Sequence, residues 1–200
     1  MTAQKESVVT PERVAQGITY KEWMEQIDRN EDKFLDNYNS MQLNPDDVAA
    51  IKALVEKEGG PATCMAIGEP WCPDVFRGLP VAAKLCEATG IDLKIFFRDQ
   101  HIDLMNEYLY KGEFQSIPTL VFFTKDHREL GVWHERAQKA RDEMPQLSAI
   151  TSQMRNQELS EEERQKHMEA YAAFQKGPVW GGWRDAEVKE IRALLEAAVR

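Results

Sequence analysis

Trp71-Cys72-Pro73-Asp74-Val75 follows the short apolar run Ala62 to Gly68, and Ser116-Ile117-Pro118-Thr119 opens the apolar run Thr119 to Phe123. The first stretch reads as a strand handing over to a helix, with Cys72 at the helix mouth. A thiol there feels unpaired backbone N–H groups and the positive end of the helix dipole, which favour the reactive thiolate. Pro73 suits the first helical position because it has no N–H to leave unpaired. Asp74 suits the helix start, but its charge opposes a second anion at Cys72, and Glu69 in the preceding turn adds to that opposition. Three residues after Cys72 stands Val75, not a second cysteine.

Outward from this point the elements alternate. From Pro73 the pattern is helical, with Val75, Leu79, Ala82, Leu85 and Cys86 on one side and Gly90 ending the run. Ile91, Leu93, Ile95 and Phe97 alternate as a strand, and Leu104, Met105, Tyr108 and Leu109 mark another helix. Thr119 to Phe123 and Leu130 to Trp133 read as a hairpin turning at Asp126-His127-Arg128. The order from residue 62 is β-α-β-α-β-β-α. A right-handed crossover makes the first two strands parallel, and the last two are antiparallel. The expectation is an α/β fold with a small mixed sheet flanked by helices.

Helices precede and follow this unit. Residues 1–17 read as frayed. Tyr20, Trp23, Met24 and Ile27 repeat at helical spacing, and Phe34, Leu35, Tyr38 and Met41 resume it. Asn44-Pro45-Asp46-Asp47 is an N-cap, a first-turn proline and two acidic residues that suit the dipole. Ser160 and Glu163 form a capping box for a helix carrying Met168, Tyr171 and Phe174. Gly177-Pro178 breaks the chain, and a last helix follows Trp180-Gly181-Gly182-Trp183, with Val188, Ile191, Leu194 and Leu195 inward. The division expected is a flexible stretch 1–18, a domain 19–145, and a C-terminal helical extension 146–200 packed on it.

Bulk properties narrow the function. The chain has 200 residues, is 42% hydrophobic and 30% charged, and carries a net charge of −9 with a pI near 5.1. That balance argues against nucleic acid or an anionic membrane as partner. Its apolar runs fall far short of the ~20 residues that span a bilayer. The N-terminus lacks the apolar core of a signal peptide, so a reducing cytoplasmic setting is expected. Cys64, Cys72 and Cys86, spaced by 8 and 14, fit neither a disulfide framework nor C-x-x-C zinc patterns. Cys64 and Cys86 read as small buried hydrophobes. Cys72 with His134 or His101 makes a poor metal site, so no metal or cofactor is expected.

Residues 62–137 resemble the thioredoxin superfamily, on Trp71-Cys72 after a strand, Pro80 within the helix, and Ile117-Pro118-Thr119 before the next strand. The chain is also similar to a bacterial thioredoxin-like group with a Trp-Cys-Pro-Asp-Cys motif. That likeness takes in Phe97-Arg98-Asp99, Leu104-Met105, Tyr108-Leu109, Gly131 to Arg136, and the helices from about residue 19. The resemblance implies a thioredoxin-like fold, a cis Pro118 facing Cys72, and substrate backbone pairing beside that proline. Two departures stand out: the second cysteine is Val75, and the buried carboxylate six residues before the reactive cysteine is Ala66. No other cysteine takes over. Cys86 lies about 21 Å along the same helix and Cys64 well over ~10 Å back along the strand, against the roughly 4.4–6.8 Å between Cα atoms that a disulfide needs.

Two functions follow from the resemblance. In one, Cys72 is the nucleophile of a monothiol thiol–disulfide oxidoreductase, and an external thiol resolves its mixed disulfide with a protein or a low-molecular-weight thiol. In the other, the fold is a redox-inactive binding module using the groove beside Pro118. In either case Trp71, Pro73, Asp74, Ile117, Pro118, Thr119 and Trp133 are expected to line the site. Arg98-Asp99 and Arg136 read as site contacts or as structural ion pairs. Trp23, Trp180 and Trp183 read as core, and Glu158 to Glu169 as a solvated face.

Overall fold

The computed structural model describes residues 7–154 and 158–199. Four short helices come first: α1 (Pro11–Val14), α2 (Tyr20–Gln26), α3 (Glu31–Ser40) and α4 (Pro45–Val55). Then follow β1 (Pro61–Gly68), α5 (Pro73–Thr89), β2 (Asp92–Phe97), α6 (Ile102–Met105), β3 (Thr119–Thr124) and β4 (Glu129–His134). Three longer helices close the chain: α7 (Gln138–Met154), α8 (Glu161–Lys176) and α9 (Pro178–Ala198). The sheet order is β2-β1-β3-β4, with β1 parallel to β2 and antiparallel to β3, and β3 antiparallel to β4. This is the mixed sheet and strand sense expected, in a thioredoxin-like α/β fold. Among the described residues no helix is long and apolar enough to cross a membrane.

The register explains where the site lies. Cys64, Ala66 and Gly68 point to one face of β1, because side chains alternate along a strand. That face receives α5: a methyl group on Gly68 would stand 2.9 Å from Cγ1 of Val75. Glycine at the strand end therefore lets the first turn of α5 close onto the sheet. Val75, Leu79, Leu85 and Cys86 are buried there, as their spacing predicts. Cys64 and Cys86 meet across this interface. Burial, then the neighbouring Cys86 thiol, pushes the Cys64 thiol well above its ordinary range.

Several readings change. Residues 1–6 lie outside the described residues, but the rest of the stretch expected to fray is packed: Val14 is buried and Ile18 bonds reciprocally with Ile95 on β2. Two apolar side chains and a free strand edge suffice to dock it. The helix expected through Leu109 stops at Met105, because the chain turns through Lys111 and Gly112 at positive φ to close the Tyr110–Phe114 bridge. Gly177-Pro178 does end α8, but Trp180-Gly181-Gly182-Trp183 belongs to α9. Pro178 starts that helix, and its Trp180 and Trp183 are fully buried, with Arg77 of α5 against both rings, which outweighs the poor helix propensity of two glycines. Leu35 and Met168 are exposed; Phe34 and Asn37 take the inner side of α3, and Tyr171 and Phe174 the inner side of α8.

Of the C-terminal helices, α9 packs against α5, which also meets α3 and α4. From α9, Trp180, Trp183, Val188, Ile191 and Leu195 enter the core. Trp180 stacks on Phe76 of α5 and gives its indole N–H to buried Asn37 of α3 at 2.9 Å.

Candidate active site

Cys72 is the N-cap of α5 and Pro73 its first residue, so Val75 and Phe76 donate their N–H groups to the Cys72 carbonyl. The thiol is half-buried and donates to the carbonyl of Ile117 at 3.8 Å. The Ile117–Pro118 peptide bond is cis, as the resemblance implied. The two stretches that opened the sequence reading therefore meet: the helix mouth carries the sulfur and the β3 approach carries the carbonyl it faces. Val75 is fully buried where a second thiol would stand.

The environment does not activate the thiol on balance. Burial pushes Cys72 up first and the Asp74 carboxylate pushes it further. The N–H groups of Val75 and Asp74 and the Arg136 guanidinium pull down without prevailing. The helix-mouth argument gave the right sign for the backbone contribution, but burial of the sulfur outweighs it.

Behind Cys72 lies a run of alternating charges. Asp74, nearly buried, pairs with Arg77 at 2.7 Å and with Arg136 at 2.5 Å. Arg136 also holds Glu135 at 2.5 Å, and Glu135 holds Arg141 at 3.1 Å. Arg77 is only 1% exposed, with its guanidinium over the rings of Trp180 and Trp183 at 5.2 and 5.5 Å. Arg136 is thus the ion pair with Glu135 that the sequence allowed, and also a partner of Asp74. From α8, Tyr171 comes close enough to feel Asp74, Arg77 and Cys72. Burial first, then Asp74, raises its hydroxyl to about 12.

The expected lining residues divide. Trp71 is exposed beside Cys72, with the Arg98 guanidinium 5.0 Å above its ring, and Arg98 in turn pairs with Asp99 at 2.6 Å. Asp99 gives its N–H to Glu69 at 2.8 Å, fixing the turn before Trp71. Pro73 is exposed. Ile117, Pro118 and Thr119 are buried, so the face beside the proline is covered rather than open. The Thr119 hydroxyl donates to the Ser116 carbonyl at 2.7 Å and therefore accepts from Nδ1 of His134 at 3.0 Å. Trp133, expected at the site, is buried, and its indole N–H donates to Glu190 of α9 at 2.9 Å. It ties β4 to the C-terminal helix.

Sequence reasoning missed Arg77, Tyr171 and Glu187. Glu187 is fully buried on α9, and neither carboxyl oxygen has a hydrogen-bond partner. Its position four residues before Ile191 and eight before Leu195 put it on the inner stripe, a signal the spacing held. Among the described residues no group of three or more His, Cys, Asp or Glu side chains could hold a metal ion.

No match was found among curated proteins. Two solved structures share the fold. One is a protein of unknown function from Pseudomonas aeruginosa, with TM-score 0.66 and 17% identity over 92% of this chain and 95% of that one. The other is an HIV epitope-scaffold, with TM-score 0.63 and 18% identity over 96% of this chain and 99% of that one. At such identities they speak to the fold alone. The sequence profile described as thioredoxin matches residues 17–155, which carry both Cys72 and Pro118, and the chain belongs to the thioredoxin family.

Proposed function

We propose that the protein carries out thiol–disulfide exchange with one thiol. The observation that carries this reading is the pairing of Cys72 Sγ with the Ile117 carbonyl, at 3.8 Å, with Val75 buried where a resolving thiol would sit. The Cys72 thiolate attacks one sulfur of a disulfide, forming a mixed disulfide and releasing the other sulfur as a thiolate. An external low-molecular-weight or protein thiol, as thiolate, then attacks the substrate sulfur of the mixed disulfide and regenerates Cys72. Trp71, exposed and braced by Arg98, offers a flat apolar face to the incoming group.

The second reading, a redox-inactive binding module, is favoured by one feature: burial and Asp74 push the thiol above its ordinary range. One experiment separates the two. Cys72 alkylation is followed against pH, and mixed disulfides with a small disulfide reagent are trapped in wild type and Cys72→Ser. The exchange reading expects alkylation at a single site, a trapped adduct on Cys72, and its release by added thiol. Cys72 reacting no faster than a free thiol of the same pKa, with no adduct released by added thiol, selects the binding module.

A further inference from the structure

Among the described residues, Glu187 is the one carboxyl buried to 0% exposure, and it lies against the helix that carries Cys72. It lacks a hydrogen-bond partner on either oxygen. Its place is fixed by the glycine it faces. A methyl group on Gly78 would lie 3.1 and 3.2 Å from the two Glu187 oxygens and 3.2 Å from Cγ of Pro118. The carboxyl therefore presses against the bare backbone of α5 beside the proline of the site.

The charges that face it form a short chain ending at Cys72. From α5 come Arg77 and Asp74, and from α9 itself Arg184 and Glu190. The turn after β4 supplies Arg136 on Asp74, and Glu135 through its carbonyl on Arg77 at 3.4 Å. From α8, Tyr171 faces Asp74 and Arg77. Asp47 of α4 is taken by Arg192 and Glu143 of α7 by Trp183, so neither joins the chain. Arg77 is the link. It is buried, it bonds Asp74 at 2.7 Å, and its Nε has no hydrogen-bond partner. One guanidinium thus lies between a carboxylate already bonded and a carboxyl with no bond.

We propose that Glu187 is a positioning residue for Cys72: a buried proton-holding group whose ionisation acts through Arg77 and Asp74 to make the Cys72 thiol hold its proton more tightly. The proposal deepens the exchange reading by supplying its regulation. A carboxylate without donors is disfavoured in a buried setting, so Glu187 keeps a proton well above the ordinary carboxyl range, against the pull of Arg77. While it is neutral, Arg77 is left to Asp74 and mutes the carboxylate that opposes the Cys72 thiolate. Once ionised, Glu187 competes for Arg77 and adds its own charge. The thiolate becomes harder to form. The C-terminal helix is in this way part of the redox site.

The test uses the full chain. The pH dependence of Cys72 alkylation and of thiolate absorbance is measured in wild type, Glu187→Gln and Glu187→Asp, with Cys72→Ser as baseline. Glu187→Gln is expected to lower the Cys72 midpoint by about half a unit to one unit, making alkylation about three- to tenfold faster at a fixed pH above the Glu187 midpoint and below both Cys72 midpoints, where wild-type Glu187 is ionised. Glu187→Asp, still ionisable, restores a midpoint close to wild type, which a loss of packing would not do. A Glu187→Gln profile that superimposes on wild type overturns the proposal. A second measurement does not depend on the variants folding: the carboxyl carbon of Glu187, followed by NMR in wild type, is expected to titrate well above 4.5, and a midpoint in the ordinary range overturns the proposal. If Cys72 never exchanges disulfides yet Glu187→Gln moves its alkylation profile, the coupling stands and the exchange reading falls. If Cys72 exchanges and the profile does not move, the reverse holds.

Discussion

Replacing Val75 by cysteine tests whether the only missing part is the resolving thiol. Positions 72 and 75 are joined by the first helical bond, Val75 N–H to the Cys72 carbonyl at 3.0 Å. Side chains three apart on a helix have Cβ atoms about 5–6 Å apart, close enough for a disulfide with modest adjustment. Val75 is fully buried, so trimming it costs about 0.5–1.5 kcal/mol, by analogy with removing one buried methyl. A ring this small constrains the unfolded chain by about 2 kcal/mol. The two effects nearly cancel, and the oxidised variant is expected to be about as stable as wild type. Its chemistry differs. In wild type an aromatic mixed disulfide at Cys72 persists until a thiol is added. In Val75→Cys the new thiol attacks Cys72 Sγ and expels the aromatic thiolate, whose absorbance is followed directly. With Ala66 in place of a carboxylate, nothing nearby deprotonates this buried thiol, so the release should quicken steeply with pH. A Val75→Cys protein that folds normally yet holds the adduct as long as wild type would refute the reasoning.

Two further outcomes follow from the same contacts. Arg136→Gln removes one of the two ion-pair partners of Asp74 and leaves its carboxylate less compensated beside Cys72. The thiol should titrate higher, and alkylation at neutral pH should slow by about tenfold for each unit of that rise; a faster reaction would contradict the charge assignment. Asn37→Leu strips the buried acceptor from the Trp180 indole N–H while the Arg184 bond to the Asn37 carbonyl remains. The expected loss is about 1–3 kcal/mol, read as a drop in Tm of about 2–4 °C per kcal/mol for a chain of this size.

The sheet and the helix behind it were legible because each strand and helix states its own period. Ile91 to Phe97 alternates, Val75 to Cys86 repeats at helical spacing, and the capping box at Ser160 is present in the structure. Where the reading failed, a long-range contact outweighed a local preference. Trp180 and Trp183 drive two glycines into α9 because their rings close over Phe76 and Arg77. The indole N–H of Trp133 goes to Glu190, 57 residues later, a partner no local pattern names. Cys72 at a helix mouth and a cis Pro118 were legible from sequence, since a strand, a helix start and the family resemblance locate them. The carboxyl of Glu187 beside Gly78 and Pro118 and the hydroxyl of Tyr171 near Asp74 come from the C-terminal helices, whose docking no local pattern states.

Val75, Ala66 and Gly78 belong together in physical terms. Val75 presses on Gly68, on the same strand face as Ala66, so the side of α5 that meets the sheet is dry and apolar. A carboxylate on β1 would there face a valine and have no thiol to serve. On the α9 side of the same helix the situation is inverted. Gly78, a residue that costs a helix interior about 1 kcal/mol relative to alanine, leaves room for the Glu187 carboxyl within reach of Arg77. The charges that act on Cys72 directly are Asp74 of α5 and Arg136 after β4. In the coupling proposed for Glu187, α9 adds a third charge that reaches the thiol through Arg77 and Asp74, from a part of the chain that the minimal fold lacks.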